Sequence, residues 1–551
     1  MKKYRYIAIV ALMLVVTGVF AQNKQNNFEI GKSIDIYNSL MRELNVNYVD
    51  DINPAELNET AIKAMLKELD PYTVFIPESE IEDVKLITTG EYGGIGAVIQ
   101  QDSNYVRISD PYYGFPAQKA GLIAGDVILS VNGVDTYKKK ISEVSDLLKG
   151  QPGTELVVKV RRYGQDKPIE FKIKREKVKI ENIPYAAVLD NGIGYVSLSG
   201  FTKNAALELK EKVVEMKKNH DLKGIVIDLR GNGGGLLAEA VDIVNLFLPK
   251  NKPIVSTKGK TLANMKSYKT TNAPLDENIR LAILVDGNSA SASEIVAGSI
   301  QDYDRGVIVG QRTFGKGLVQ NILPLTYNTQ MKVTVAKYYI PSGRCIQEID
   351  YSHKKDSTAT TKTDTLGKPF NTSNGRTVYE GHGITPDVVM DIKPYSLVTS
   401  YLYGKNMIFD YANKFYSENK TIDQADKFEI TDAIFNDFVK FVKDRNFTYV
   451  TESEMVLQKL EKAAKDEGYY EKVSDQISSL RKQLEEDKAN DIVRNRKDIQ
   501  ELLKSEIVGR YHYQTGRIVA SLKNDEELAR ACEILLDSNS KNEYETILGK
   551  K

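Results

Sequence analysis

Ser291 lies in the run Asn288-Ser289-Ala290-Ser291-Ala292-Ser293-Glu294, and Lys316 follows 25 residues later in Phe314-Gly315-Lys316-Gly317. Together a serine and a lysine can perform acyl transfer. A serine hydroxyl is a weak nucleophile until a base takes its proton. A buried lysine loses charge stability by desolvation, and its pKa can fall far enough for it to be that base. The flanking glycines allow close backbone approach, while Phe314, Leu318 and Val319 are expected to keep water away. Gln320 stands four residues beyond the lysine, on the same face in a strand or a helix, where its amide can orient the amine. Each half also has a plainer reading. Ser291-x-x-Glu294 has the form of a capping box, and a lone Gly-Lys-Gly is an ordinary turn.

Capping and catalysis are compatible here. A serine at a helix N-terminus has the next amide, that of Ala292, beside its hydroxyl and the positive end of the helix dipole behind it. A second oxyanion donor is expected from Asp228-Leu229-Arg230-Gly231-Asn232-Gly233-Gly234-Gly235, through the amide of Gly233 or Gly234. That turn is neither a Walker nor a Rossmann fingerprint. Asp302, on the same predicted helix as Ser291, falls roughly 16 Å away at 1.5 Å rise per residue. It is expected at a helix end or an interface. Ser289 and Ser293 are read as structural.

Histidine is scarce. Of His220, His353, His382 and His512, none occupies a recognisable triad setting, and Cys345 and Cys532 lie too far apart to suggest zinc. No metal and no cofactor are expected.

The elements that must position these residues change character along the chain. Residues 22–87 form an N-terminal helical region, with apolar residues at Ile36, Leu40, Leu44, Ala61, Met65, Leu66 and Leu69. Residues 88–176 carry short β-rich runs separated by glycine and proline turns. From 177 to 394 strands alternate with amphipathic helices, which reads as an α/β core. Within it the stretch from Asp350 to Thr377 has little to bury and reads as an excursion. Residues 395–551 are charge-laced helices with one apolar stripe, either a self-contained helical domain or a dimerisation surface.

Several ordered motifs carry a family resemblance: "LDPYTVFI", "EYGGIGAVI", "PAQKAGLIAGDVILSVNG", "DLRGNGGG", "NSASASEIVAGSIQDYDRGVIVGQRTFGKGLVQ", "KYYIPSGRCIQ" and "GHGITPDV". Over roughly residues 35–392 the chain resembles the carboxyl-terminal processing peptidases, or tail-specific proteases, which use a Ser-Lys dyad. The resemblance implies Ser291 as nucleophile, Lys316 as base and Gln320 as its support. It implies a multidomain α/β plus β fold: a crotonase-like serine protease core, a PDZ domain, a helical N-terminal segment and a helical C-terminal domain. Gly94-Ile95-Gly96-Ala97 is similar to the PDZ loop whose backbone amides capture a peptide's terminal carboxylate while the peptide adds a strand.

The bulk composition describes a soluble globular protein, and the N-terminus describes an exported one. The chain has 551 residues, with 75 basic and 75 acidic side chains, so no net charge favours nucleic acid. Lys2, Lys3 and Arg5 precede an apolar run from Ile7 to Phe20 and then Ala21, which describes a signal peptide over residues 1–21 and a periplasmic or cell-envelope destination. The expected partners are protein or peptide substrates with free C-termini; a homodimer through the helical termini and an activating adaptor remain open. Two rivals compete: a non-catalytic PDZ scaffold, disfavoured by the intact serine and lysine, and a small-molecule hydrolase, disfavoured by the PDZ-like unit.

Overall fold

The computed structural model describes residues 26–351, 367–391, 394–488, 490–538 and 542–550. The expected signal peptide lies outside these residues, as does most of the 350–377 excursion. Among the described residues no helix is long and apolar enough to cross a membrane.

The described chain forms two units, one of residues 26–75 with 331–333 and one of the remainder. In the first, the predicted helical region is two helices, 26–47 and Pro54–Lys67. The break has a local cause. Asn53 accepts from the amides of Ala55 and Glu56, and Pro54 at the first helical position needs no hydrogen-bond acceptor.

The second unit is built on a six-stranded sheet. Its order is Tyr185–Val188, Ile193–Ser197, Gly224–Asp228, Leu281–Val285, Val307–Gly310 and Val388–Val389. All neighbours are parallel except the first pair. Strands such as "GIVID" and "LAILV" are apolar throughout because both faces are covered. Ile225, Ile227, Leu281 and Ile283 pack with the helices Ala205–Asn219, Leu237–Asn245 and Ala292–Asp302 on one face. Val226, Ala282 and Leu284 face Leu528, Ala531, Cys532, Leu535 and Tyr544 on the other. Each of these Val, Ile and Leu side chains contributes about 1.5–3 kcal/mol by leaving water. The helices Glu526–Leu536 and Glu543–Ile547 therefore belong to the sheet's second layer, although the sequence division at residue 395 groups them with the helical domain.

Residues 97–174 form a separate β-rich core around Ile108, Ile128, Val158 and Val160. The paired strands Glu91–Gly94 and Glu176–Lys179 close its two connections. Residues 398–520 hold a third core around Phe435, Phe438 and Tyr411. These last two bodies are clamped together. Arg107 donates to Asp410 at 2.9 Å and lies 4.1 Å over Phe409, while Asp110 pairs with Arg517. Arg517 belongs to the helix Arg496–Leu522, which kinks at Tyr513 (φ 56°, ψ −157°). The excursion is shorter than expected, since Pro369–Asn371 and Thr377–Tyr379 pair as a hairpin.

Candidate active site

The buried strand Leu281–Val285 ends in a turn that delivers Ser291 to the first position before the helix Ala292–Asp302. Ser291 has φ 56° and ψ −109°. For a residue with a Cβ this is a strained conformation, costing about 1–3 kcal/mol, and it persists only where its surroundings hold it. They do. Glu294 Oε2 accepts from the Ser291 N–H at 2.8 Å, the backbone half of the expected capping box. The Ser291 hydroxyl makes no side-chain cap hydrogen bond. Its neighbours are committed: Ser289 Oγ donates to the Leu229 carbonyl and Ser293 Oγ to that of Asn232, each at 2.8 Å.

Lys316 is half-buried in a loop gripped from several sides. Glu294, fully buried, accepts from the Lys316 N–H at 2.9 Å, the Gly315 N–H at 2.7 Å and the Thr313 hydroxyl at 2.6 Å. Burial pushes the Glu294 carboxyl above its ordinary pKa range, against the pull of these four donors. Below the turn, the Tyr338 hydroxyl lies 3.1 Å from the Ser291 carbonyl and 2.8 Å from that of Lys316. One carboxylate thus ties the two amides and one phenol ties the two carbonyls. Gly383, from "GHGITPD", packs against the same loop; a Cβ there would sit 2.7 Å from the Thr313 carbonyl. Of the residues expected to exclude water, Leu318 is buried but Phe314 is 47 % exposed. Gln320 donates through Nε2 to Thr334 Oγ1 at 3.3 Å.

The glycine-rich turn stands against the serine. A Cβ on Gly234 would lie 2.7 Å from the Ala290 carbonyl and 2.9 Å from the Ala292 nitrogen, and its φ of 98° independently calls for glycine. Its amide is already committed to Asn232 Oδ1 at 2.9 Å. Of the two donors expected, Gly233 or Gly234, the second makes the close approach and has its N–H engaged by Asn232. The Gly233 N–H has no hydrogen-bond partner among the described residues, and the Ala292 amide, in the first turn, lacks an intrahelical acceptor. The two turns are stitched together by Gly231 N–H to Asp286 and Ala290 N–H to the Asn232 carbonyl. Asp302 ends its helix buried, accepting from Arg344 and from the Ser342 amide at 2.9 Å each. It anchors the turn after the strand that carries Tyr338.

In the β-rich body, Ala97–Asp102 is, among the described residues, an edge strand pairing only with Tyr105–Pro111, flanked by the helix Ile141–Leu148. The Gly94-Ile95-Gly96-Ala97 loop precedes it. The Ile95 and Gly96 carbonyls are turned inward, onto the amides of Ala117 and Tyr112. The Tyr92 ring lies over Gly94, and burial raises the pKa of its hydroxyl while the nearby Ala97 and Gly96 amides pull it down.

Glu294, Thr313 and Tyr338 were not singled out as site residues from sequence. The first was visible only as a capping partner, and the other two carry no local signal.

The description "Peptidase family S41" matches residues 192–353, "PDZ domain" residues 107–162, and "Probable PDZ-protease, C-terminal helical domain" residues 398–535. A carboxy-terminal-processing protease of Bartonella bacilliformis is 34 % identical over 342 residues, covering 62 % of this chain and 77 % of that protein. A probable CtpA-like serine protease of Staphylococcus aureus is 33 % identical over 344 residues, covering 62 % and 67 %. Among solved structures, the photosystem II D1 C-terminal processing protease aligns with a TM-score of 0.37 at 28 % identity, over 64 % of this chain and 86 % of that one. The PDZ domain of a Vibrio cholerae carboxy-terminal protease in complex with peptide aligns at 32 % identity and a TM-score of 0.16, over 16 % of this chain and 99 % of that one.

Proposed function

We propose, on the premise that the chain belongs to peptidase family S41 and is a carboxy-terminal-processing serine protease with a PDZ domain, that Ser291 and Lys316 form its catalytic dyad. The observation that carries this reading is their shared anchoring, both amides on Glu294 Oε2 and both carbonyls on the Tyr338 hydroxyl. In this reading the neutral Lys316 amine takes the Ser291 proton as the serine oxygen bonds to the scissile carbonyl carbon. The N–H groups of Ala292 and Gly233 hold the oxyanion. The lysine ammonium then returns its proton to the leaving amine as the C–N bond breaks. Water, deprotonated by the same amine, opens the serine ester. Gln320 presents a carboxamide oxygen suited to orienting the amine.

Substrate tails are read by the β-rich body. The amides of Ile95, Gly96 and Ala97 suit a terminal carboxylate, and the open edge of Ala97–Asp102 suits an added strand. Tethering a tail there raises its concentration near the dyad. The basic and apolar N-terminus supports export, which N-terminal sequencing of the mature protein tests. An uncleaved Met1 on envelope-free protein would count against it.

The decisive comparison sets wild type beside Ser291→Ala and Lys316→Ala on an unstructured peptide with a free apolar C-terminus. Both variants, shown to be folded, are expected to lose turnover. Wild-type turnover in either overturns the dyad. Amidating the peptide's terminus tests tail capture separately: cleavage is expected to slow, and an unchanged rate removes the carboxylate loop from the account.

A further inference from the structure

Two acidic residues near the far end of the chain reach the root of the glycine-rich turn. Arg230 Nη1 donates to Asp525 Oδ1 at 3.0 Å and to Glu527 Oε2 at 2.7 Å, and its Nη2 donates to Asp525 Oδ2 at 2.6 Å. On its other side Asp228 accepts from Nε at 3.0 Å and from Nη2 at 2.6 Å. Asp228 also accepts from the Arg230 main-chain N–H and from the Tyr195 hydroxyl. The guanidinium is therefore held in its plane by three carboxylates. Burial opposes its charge, but the bonds from Asp228 and Asp525 outweigh that and hold its pKa above the ordinary range.

Arg230 is the last residue before Gly231-Asn232-Gly233-Gly234. Where its side chain is fixed, the direction in which the main chain enters that turn is fixed as well. From this root Gly231 reaches Asp286, the Asn232 carbonyl receives both the Ala290 N–H and the Ser293 hydroxyl, and Gly234 presses on Ser291. An error at Arg230 would be carried directly to the Gly233 amide.

A purely structural reading, in which the acids only fasten the helix Glu526–Leu536 to the sheet, fits less well. That helix already has a buried face of Leu528, Ala531, Ile534 and Leu535. Asp525 also caps that helix, its Oδ1 accepting from the Leu528 N–H at 2.9 Å, and the other end is held to the sheet by Arg280 donating to the carbonyls of Leu535 and Asp537. Glu527, by contrast, is buried with Oε1 lacking any hydrogen-bond partner among the described residues. An unsatisfied buried oxygen is a burden that native folds rarely carry without a use.

We propose that Asp525 and Glu527 are positioning residues for peptide hydrolysis. They hold Arg230, and through it the orientation of the Gly233 N–H toward the reacting carbonyl, so that the terminal helices complete the oxyanion site. This rests on the Ser291–Lys316 reading above.

The test uses the full chain with Asp525→Asn, Glu527→Gln and both together, beside a Ser291→Ala control. Kinetics on the free-tailed peptide should show kcat lowered on the order of 10- to 100-fold in the double variant, with KM within twofold. Labelling of Ser291 by a fluorophosphonate should slow in parallel. Binding of the same peptide, measured in the Ser291→Ala background, should be unchanged, which a loosened fold would not allow. A folded double variant with wild-type kcat, or one whose loss lies in KM alone, overturns the proposal. If the double variant does not fold, the single variants decide, each expected to lower kcat at least threefold at unchanged KM. Turnover surviving in the Ser291→Ala control would instead overturn the nucleophile assignment.

Discussion

Ser291 and Lys316 are joined through a single oxygen atom: Glu294 Oε2 accepts the main-chain N–H of the first at 2.8 Å and of the second at 2.9 Å. Any displacement of the serine turn relative to the lysine loop must stretch one of these two bonds. The carboxylate therefore keeps two segments in register that the sequence places 25 residues apart.

Replacing Glu294 by Gln is expected to lower kcat on the order of 100-fold with the fold retained. An amide presents N–H groups to donors that now face oxygen, and misplacement of a reacting group carries losses of that size. Near-wild-type turnover in a folded Glu294→Gln variant would show that the register is held elsewhere.

The same residue sets a pH signature. Burial raises its carboxyl above the ordinary glutamate pKa of 4.5. Between that value and the raised one, the native state binds more protons than the unfolded state. Its contribution to stability is thus fully present below 4.5 and declines as pH rises through the raised pKa. Activity runs the opposite way, because only the ionised form accepts all four donors. Denaturant titrations and kcat profiles of wild type and Glu294→Gln should therefore differ with opposite slopes on the acid side. Parallel slopes would remove Glu294 as the cause.

Adjacent glycines separate close approach from hydrogen-bond donation. Gly234→Ala puts a methyl group 2.7 Å from the Ala290 carbonyl at a φ of 98°, whereas Gly233→Ala meets nothing within 4 Å. Gly234→Ala is expected to lose at least about 100-fold in kcat, and Gly233→Ala less than about tenfold. Steady-state rates with circular dichroism as a folding check decide it; the reverse order would contradict the geometry.

Tyr92→Phe removes the hydroxyl that lies near the Gly96 and Ala97 amides. A tail carboxylate then has no competitor there, and affinity for a free-tailed peptide should rise about 3- to 10-fold, the worth of one net hydrogen bond. Fluorescence anisotropy measures this directly. Weaker binding would mean that the hydroxyl itself donates to the tail.

Asp302→Asn should act through stability. Arg344 is 1 % exposed, and loss of its charged partner costs about 3–5 kcal/mol. The melting temperature should fall while kcat per folded molecule stays within about threefold at a temperature where the variant is folded. A kcat loss without a stability loss would bring Asp302 into the chemistry after all.

The settings of Ser291, Lys316 and the glycine turn were legible because each signal is local: a hydroxyl before a helix, a lysine between glycines, a turn after an apolar strand. Glu294 was legible only in part. At the third position of a capping box a glutamate ordinarily faces water, and its burial follows from a lysine loop that returns over it from 20 residues later. Tyr338 was hidden for the same reason, as a strand tyrosine says nothing of what its hydroxyl reaches. The terminal helices show the limit most plainly. An amphipathic helix records that one face is covered without recording by what. The Ala531, Cys532 and Leu535 face could as well have met another helix as Val226 and Leu284 of the sheet.

The far-end fastening of Arg230 also bears on when the protein becomes dangerous to its maker. Synthesis proceeds from the N-terminus, so the ribosome releases Ser291 and Lys316 more than 200 residues before Asp525 and Glu527. On the proposed reading, the nascent chain throughout that interval carries both dyad side chains but lacks the carboxylates that hold Arg230. Full peptidase activity would then arrive only after Asp525 and Glu527 have been made. A product of translation interrupted before them, however well its core had begun to form, would on the same reading be a slowed enzyme rather than a fully active one.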